Sequence, residues 1–109
     1  MIPRTHRDAV SLARLTVSEM GGLILPYVTG MFRDLESERH TRVGIKGAAD
    51  TIACYRGQFY AIEVKVGRDV WRPEQQSFAK AVEAAGGRYV LARWNDKEDG
   101  VETIRCLLS

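Results

Sequence analysis

The spacing of apolar residues changes character several times along the chain, and each change marks an element. Across residues 5–20, THRDAVSLARLTVSEM, apolar side chains recur every three or four positions at Val10, Ala13, Val17 and Met20, with Leu12 and Leu15 widening the stripe. That period predicts an amphipathic helix. Thr5 is placed to cap its start, with Asp8 three residues on like the acid of a capping box, and Gly21-Gly22 is placed to end it. Residues 23–29, LILPYVT, are apolar and partly β-branched, which predicts a strand. Pro26 has no amide hydrogen to give to a ladder, so that strand belongs at an edge or a bulge. Residues 30–41 are charged and weakly patterned, which suits a loop or a hairpin with an exposed connection.

The middle of the chain is easier to read. TIACY (51–55), a turn at Arg56-Gly57-Gln58, and FYAIEVKV (59–66) form a β-hairpin signal. Pro73 fits the first turn of a helix over 73–85, where a missing amide hydrogen costs nothing. Gly86-Gly87 ends that helix, and RYVLAR (88–93) returns as a strand. Strand, helix, strand is a βαβ unit, so strands 59–66 and 88–93 are expected to be parallel with a right-handed crossover. Asn95 to Gly100 reads as a polar turn and 101–108 as a last short strand or tail. The pattern as a whole predicts an α/β fold, a small mixed sheet flanked by helices.

Composition narrows this only a little. A chain of 109 residues, 45% apolar, suits one domain over 1–109 with a thin core that a second copy would help. The formal charge is only +2, but its distribution is uneven. Residues 51–93 hold seven basic and four acidic side chains, while 94–109 hold two and four. The middle of the chain is therefore the expected anion-facing surface. Twelve of the sixteen basic residues are arginine, which suits bidentate phosphate contacts. Cys54 and Cys106 are isolated in apolar runs, and His6 and His40 lie far apart. The expectation is two reduced, buried thiols in a cytoplasmic protein, without a zinc site. No apolar run is long enough to span a membrane or to serve as a secretory leader.

The candidate chemistry lies on strand 59–66. Side chains alternate faces along a strand, so Tyr60, Ile62, Val64 and Val66 point one way and Phe59, Ala61, Glu63 and Lys65 the other. A carboxylate and an ammonium on one face of so apolar a strand need each other or a ligand. The hairpin turn brings Asp50 opposite the Glu63–Lys65 region, within a residue or two. Clustered carboxylates are what a hard ion such as Mg²⁺ requires, and a nearby lysine stabilises charge on phosphorus or helps position a water. On the following helix, Gln75, Phe78, Ala79 and Val82 share the sheet-facing side, which aims Gln75 inward, whereas Gln76 falls nearer solvent. An inward glutamine must be hydrogen-bonded to a site group or to a loop carbonyl.

GIKGAAD, then IEVK, then RPEQ with a helix and Gly-Gly, taken in that order, resemble the VRR-NUC domain, a compact branch of the PD-(D/E)xK nuclease superfamily found in phage and bacterial replication and repair proteins. The resemblance covers residues 42–92 well and is compatible with the N-terminal helix and strand. It implies a restriction-endonuclease-like core and a metal-dependent endodeoxyribonuclease. Asp50 and Glu63 would hold one or two Mg²⁺ or Mn²⁺ ions with the backbone carbonyl of Val64. Lys65 would assist water attack, and Gln75 would orient the lysine or the water. The family often adds an acid from its first helix. Here no glutamate stands at that place, and Asp8, or alternatively Glu19, is the candidate.

Stand-alone members of the family resemble dimeric enzymes that cut branched DNA such as four-way (Holliday) junctions. One site per chain and two cuts per symmetric junction imply a homodimer. Arg42, Lys46, Arg68 and Arg72 flank the site as phosphate contacts, with Arg33 and Arg39 for a second strand. Trp71 packs in the core or stacks on a base. Three alternatives stand beside this reading. One is a sequence-specific or nonspecific nuclease of the same fold; sequence specificity normally needs a longer chain to carry base-reading elements. Another is a non-catalytic branched-DNA-binding module, which the intact residue set disfavours. The third is a small phosphate-related enzyme or assembly protein, for which no specific motif stands.

Overall fold

The structure is a computed structural model. It describes residues 2–25, 30–33, 40–43 and 47–109, with the segments 30–33 and 40–43 described as backbone alone. The element order is α1 (His6–Glu19), β1 (Leu23–Leu25), β2 (Gly30–Arg33), β3 (His40–Val43), β4 (Thr51–Tyr55), β5 (Gln58–Val66), α2 (Pro73–Ala84), β6 (Arg88–Trp94) and α3 (Gly100–Leu108). A four-stranded sheet has the order β1-β4-β5-β6. β1 and β4 pair antiparallel, as do β4 and β5, while β5 and β6 are parallel. The sheet is therefore mixed, with β1 at an edge. β2 and β3 form a separate antiparallel pair, which is the hairpin alternative for that stretch.

The caps follow from the residues. Thr5 Oγ1 accepts from the Asp8 amide at 3.1 Å, which satisfies one of the free donors at the start of α1. At the other end the Gly22 amide donates to Val17 O at 2.9 Å and the Gly21 amide to Ser18 O at 3.0 Å. That pair of bonds closes a Schellman turn and sends the chain directly into β1. The same pattern ends α2, with Gly87 to Val82 O at 2.9 Å and Gly86 to Glu83 O at 3.1 Å.

Two apolar clusters hold the layers together. Ala9, Ala13 and Val17 of α1 and Ile104 and Leu108 of α3 pack on Ala53, Tyr60, Ile62, Val64, Val90, Ala92 and Trp94. On the opposite face, Val82 and Phe78 of α2 pack with Ala49, Ala61, Ile52 and Tyr89. The buried stripe of α1 is narrower than its apolar pattern, because Leu15 falls outside it and is exposed.

The last segment corrects the sequence reading: residues 100–108 form a helix, not a strand or tail. Val101, Thr103 and Ile104 favour a strand locally, but tertiary packing and the cap decide. Asp99 accepts from the Val101 amide at 3.0 Å as the N-cap. Ile104 and Leu108, four residues apart, enter the core together. Gly100 is needed at the start, since a Cβ there would lie 2.6 Å from three atoms of the Trp94 indole. The same change moves Cys106 out: it is exposed on α3, and Cys54 is only partly buried on β4, so neither is the enclosed thiol expected. No helix among the described residues is long and apolar enough to cross a membrane.

Candidate functional site

The site forms where β4 begins and β5 nears its end. Register places Thr51 opposite Ile62, so the residue before Thr51 arrives beside Glu63. Asp50 is fixed there by two hydrogen bonds. Its Oδ2 accepts from the Val64 amide at 2.8 Å, and its own amide donates to Glu63 Oε1 at 3.2 Å. The approach to Asp50 depends on Gly47, which has φ +81°. A Cβ at Gly47 would collide with the backbone of Glu74 in the first turn of α2. The glycine thus lets the loop before Asp50 run directly against the helix that carries Gln75.

Glu63 is the centre of the cluster. Its Oε2 lies 3.2 Å from Lys65 Nζ and accepts from Gln75 Nε2 at 3.0 Å. Gln75 uses its other amide atom at the helix start, where Oε1 accepts from the Arg72 amide at 2.9 Å. One glutamine therefore both closes the N-terminus of α2 and holds the Glu63 carboxylate. Gln76 points away and donates to Trp71 O at 2.8 Å. The inward and outward assignments of the two glutamines agree with helical spacing.

Glu63 is 3% exposed and Lys65 7% exposed, inside a mixed sheet. Burial, followed by the negative charge of Asp50, raises the Glu63 carboxyl to about 7, although Lys65 pulls in the other direction. One ammonium does not balance two carboxylates here. A pair this deep adds little stability over apolar residues of the same size, so its presence is poorly explained by folding alone.

A hard divalent cation fits this imbalance, because it favours both carboxylates in their charged form. Asp50 and Glu63 are the residues that would hold it. Among the described residues, no group of three His, Cys, Asp or Glu side chains is arranged as a metal cage. Magnesium-type sites commonly use only one or two protein carboxylates and take the rest of their oxygens from water and phosphate.

The first helix brings a residue that sequence reasoning passed over. His6 Nε2 lies 3.1 Å from Asp50 Oδ1. Sequence spacing gives His6 no metal signal, since His6 and His40 lie far apart. The contact depends on how α1 lies across the sheet, so no local sequence signal marks it. Asp8 is exposed and two residues further on, about 200° around the helix from His6, so it points away when His6 faces Asp50. Glu19 pairs with Arg105 at 3.6 Å, about 20 Å along the helix from His6. Arg14 also reaches towards this end of β4, donating to Thr51 Oγ1 at 3.2 Å.

Of the expected phosphate contacts, Arg68 and Arg72 are exposed, in the turn after β5 and at the start of α2. The side chains of Arg33, Arg39, Arg42 and Lys46 lie outside the described residues. Trp71 stacks on Tyr89 with ring centroids 6.0 Å apart, and its Nε1 donates to Tyr89 Oη at 3.3 Å, so it anchors the approach to α2 on β6. No family model matches the chain, and no curated protein matches it.

Proposed function

We propose that this chain is a metal-dependent endodeoxyribonuclease with a restriction-endonuclease-like PD-(D/E)xK core, selective for branched duplexes such as four-way junctions and active as a homodimer. The observation that carries the reading is the convergence on one sheet end of Asp50, Glu63, Lys65 and Gln75, joined by direct hydrogen bonds and an ion pair. Asp50 and Glu63, with the Val64 carbonyl, are the ligands for Mg²⁺ or Mn²⁺. When bound, the ion supplies Lewis acidity at the scissile phosphate and a more acidic water.

The chain's own groups do the rest. Lys65 Nζ, held beside Glu63, donates to the attacking water or to a phosphoryl oxygen as negative charge builds. Gln75 fixes the Glu63 carboxylate, so that the charged oxygens keep one orientation. Arg68 and Arg72 approach backbone phosphates on either side and set the register of the duplex. Two sites related by a two-fold axis match the two symmetric cuts that a four-way junction needs.

The test uses labelled four-way, flap, nicked and linear DNA with Mg²⁺, Mn²⁺ or EDTA. The expected result is metal-dependent cutting of branched DNA that falls roughly a thousandfold in Lys65→Ala, the size typical of losing a charge-stabilising donor. Equal cutting by Lys65→Ala would remove its assigned role. Binding of junctions without cutting in either metal would favour the non-catalytic module. A solution mass near that of one chain would count against the dimer.

A further inference from the structure

The contact between α1 and Asp50 has a chemistry that the carboxylates alone do not supply. Asp50 Oδ2 is committed to the Val64 amide, which leaves Oδ1 as the outward oxygen. The atom facing Oδ1 is a nitrogen, His6 Nε2, at 3.1 Å. His6 is about half exposed, 49% at the side chain, and Asp50 is 21% exposed, so the contact lies on the solvent side of the cluster. Two adjacent ligands of an octahedral ion with bonds of about 2.1–2.2 Å stand about 3 Å apart. The observed separation matches that edge. The same separation is that of an imidazole–carboxylate hydrogen bond, so the distance is compatible with shared ligation, and the nitrogen donor is what sets this position apart from an acid. Imidazole nitrogen suits borderline ions, whereas Mg²⁺ favours oxygen.

We infer that His6 is a ligand of the ion held by Asp50, and that this mixed nitrogen–oxygen site selects Mn²⁺ over Mg²⁺. The inference rests on the metal-dependent reading above and adds to it a residue and a metal preference. His6 takes the place in the first helix where an acid was expected. That exchange gives up some attraction for a hard ion and gains affinity for a softer one. The exposure of His6 leaves room for water and a substrate phosphate to complete the shell, as a site with few protein ligands requires.

The experiment measures binding and spectroscopy on the whole chain, apart from cleavage. Titration calorimetry with Mn²⁺ and with Mg²⁺ is expected to give at least about tenfold tighter Mn²⁺ binding in the wild type, because a transition ion accepts an imidazole nitrogen more readily than Mg²⁺ does. His6→Ala should lose about tenfold or more in Mn²⁺ affinity and less than about twofold in Mg²⁺ affinity, within the range seen when groups around a metal are removed. Electron spin-echo modulation of bound Mn²⁺ should show a directly bonded nitrogen in the wild type and none in His6→Ala. His6→Asp should bind Mg²⁺ more tightly than the wild type and give no nitrogen signal, which separates exchange of a ligand from loss of fold.

Mn²⁺ binding without a nitrogen signal overturns the role of His6, whether or not the protein cuts DNA. A nitrogen signal without DNA cleavage upholds His6 and overturns the nuclease. No binding of either ion, with Asp50→Asn indistinguishable from wild type, overturns both.

Discussion

The two faces of β5 are buried to nearly the same depth and are filled in opposite ways. Towards α1 and α3, Tyr60, Ile62 and Val64 pack in one apolar cluster with Ala9, Ala13, Val17 and Ile104. Towards α2, Ala61 keeps the pattern for one residue, and then Glu63 and Lys65 replace it at 3% and 7% exposure. The first face lowers the free energy of folding by removing hydrocarbon from water. The second places two carboxylates and one ammonium where solvation is poor, and offsets this only in part through an ion pair and bonds to Gln75 and the Asp50 amide. The faces differ in what they bury: one buries hydrocarbon against two helices, and the other buries charge beside α2.

The largest expected effect separates the two faces by stability. Ile62→Ala leaves a cavity under α1 and α3 and should cost about 3 kcal/mol, within the usual range for a fully buried large-to-small change. Cleavage per folded molecule should stay within a few-fold. Replacing the charged pair together, Glu63→Gln with Lys65→Met, should change stability by less than about 1 kcal/mol, since it removes both buried charges at once and keeps an amide oxygen to accept from the Asp50 N–H. It should abolish cleavage. Urea unfolding followed by circular dichroism measures both. A double variant as destabilised as Ile62→Ala would break the comparison, because the charged face would then be structural.

A smaller effect sharpens the comparison by pH. The Glu63 carboxyl is raised by burial first and by the Asp50 charge second, from 4.5 to about 7. The folded state therefore holds a proton that the unfolded chain has already released between those values. Where the native state binds more protons, stability falls as pH rises. With EDTA present, wild type should lose stability relative to Glu63→Gln between pH 4.5 and about 7 and run parallel to it above. Saturating Mn²⁺, which favours the ionised carboxylate, should stabilise increasingly over the same window. Thermal melts across that range provide the check. A flat difference between the two proteins would mean that Glu63 is solvated well enough to stay ionised.

The residues that were readable in sequence are those whose local pattern agrees with their tertiary role. The hairpin, α2 with Pro73 at its first position, and the parallel return of β6 all follow from period and turn residues. Alternation along FYAIEVKV separates the apolar face from Glu63 and Lys65, and the hairpin turn places Asp50 opposite them within a residue or two, where the register sets it beside Glu63. Two parts were not legible. Residues 100–108 begin with a strand-like run, and the Asp99 cap together with packing of Ile104 and Leu108 against β6 and α1 makes the helix favourable. The contact of His6 with Asp50 spans 44 positions and depends on how α1 lies across the sheet, which no local pattern encodes. Asp8 is the first-helix acid that the resemblance suggests by its place before Leu12 and Leu15, but the helix turns it away when His6 faces Asp50.

Gln75 is where the two faces' different logics meet, and its replacement gives the smallest expected change. Gln75→Ala removes an acceptor from the Arg72 amide and a donor to Glu63 Oε2. The first loss resembles removal of a helix cap and the second exposes part of a carboxylate's hydrogen-bonding demand, so the sum should be about 1–2 kcal/mol. Gln75→Glu separates the contributions. It restores an acceptor at the positive end of α2, where a carboxylate is favoured, but it sets a third negative group against Glu63. That variant should match wild type near pH 5, where Glu63 is protonated, and fall below it near pH 8. If Gln75→Glu is equally stable at both values, the glutamine serves the helix alone, and the charged face of β5 is held in place by Asp50 and Lys65 without it.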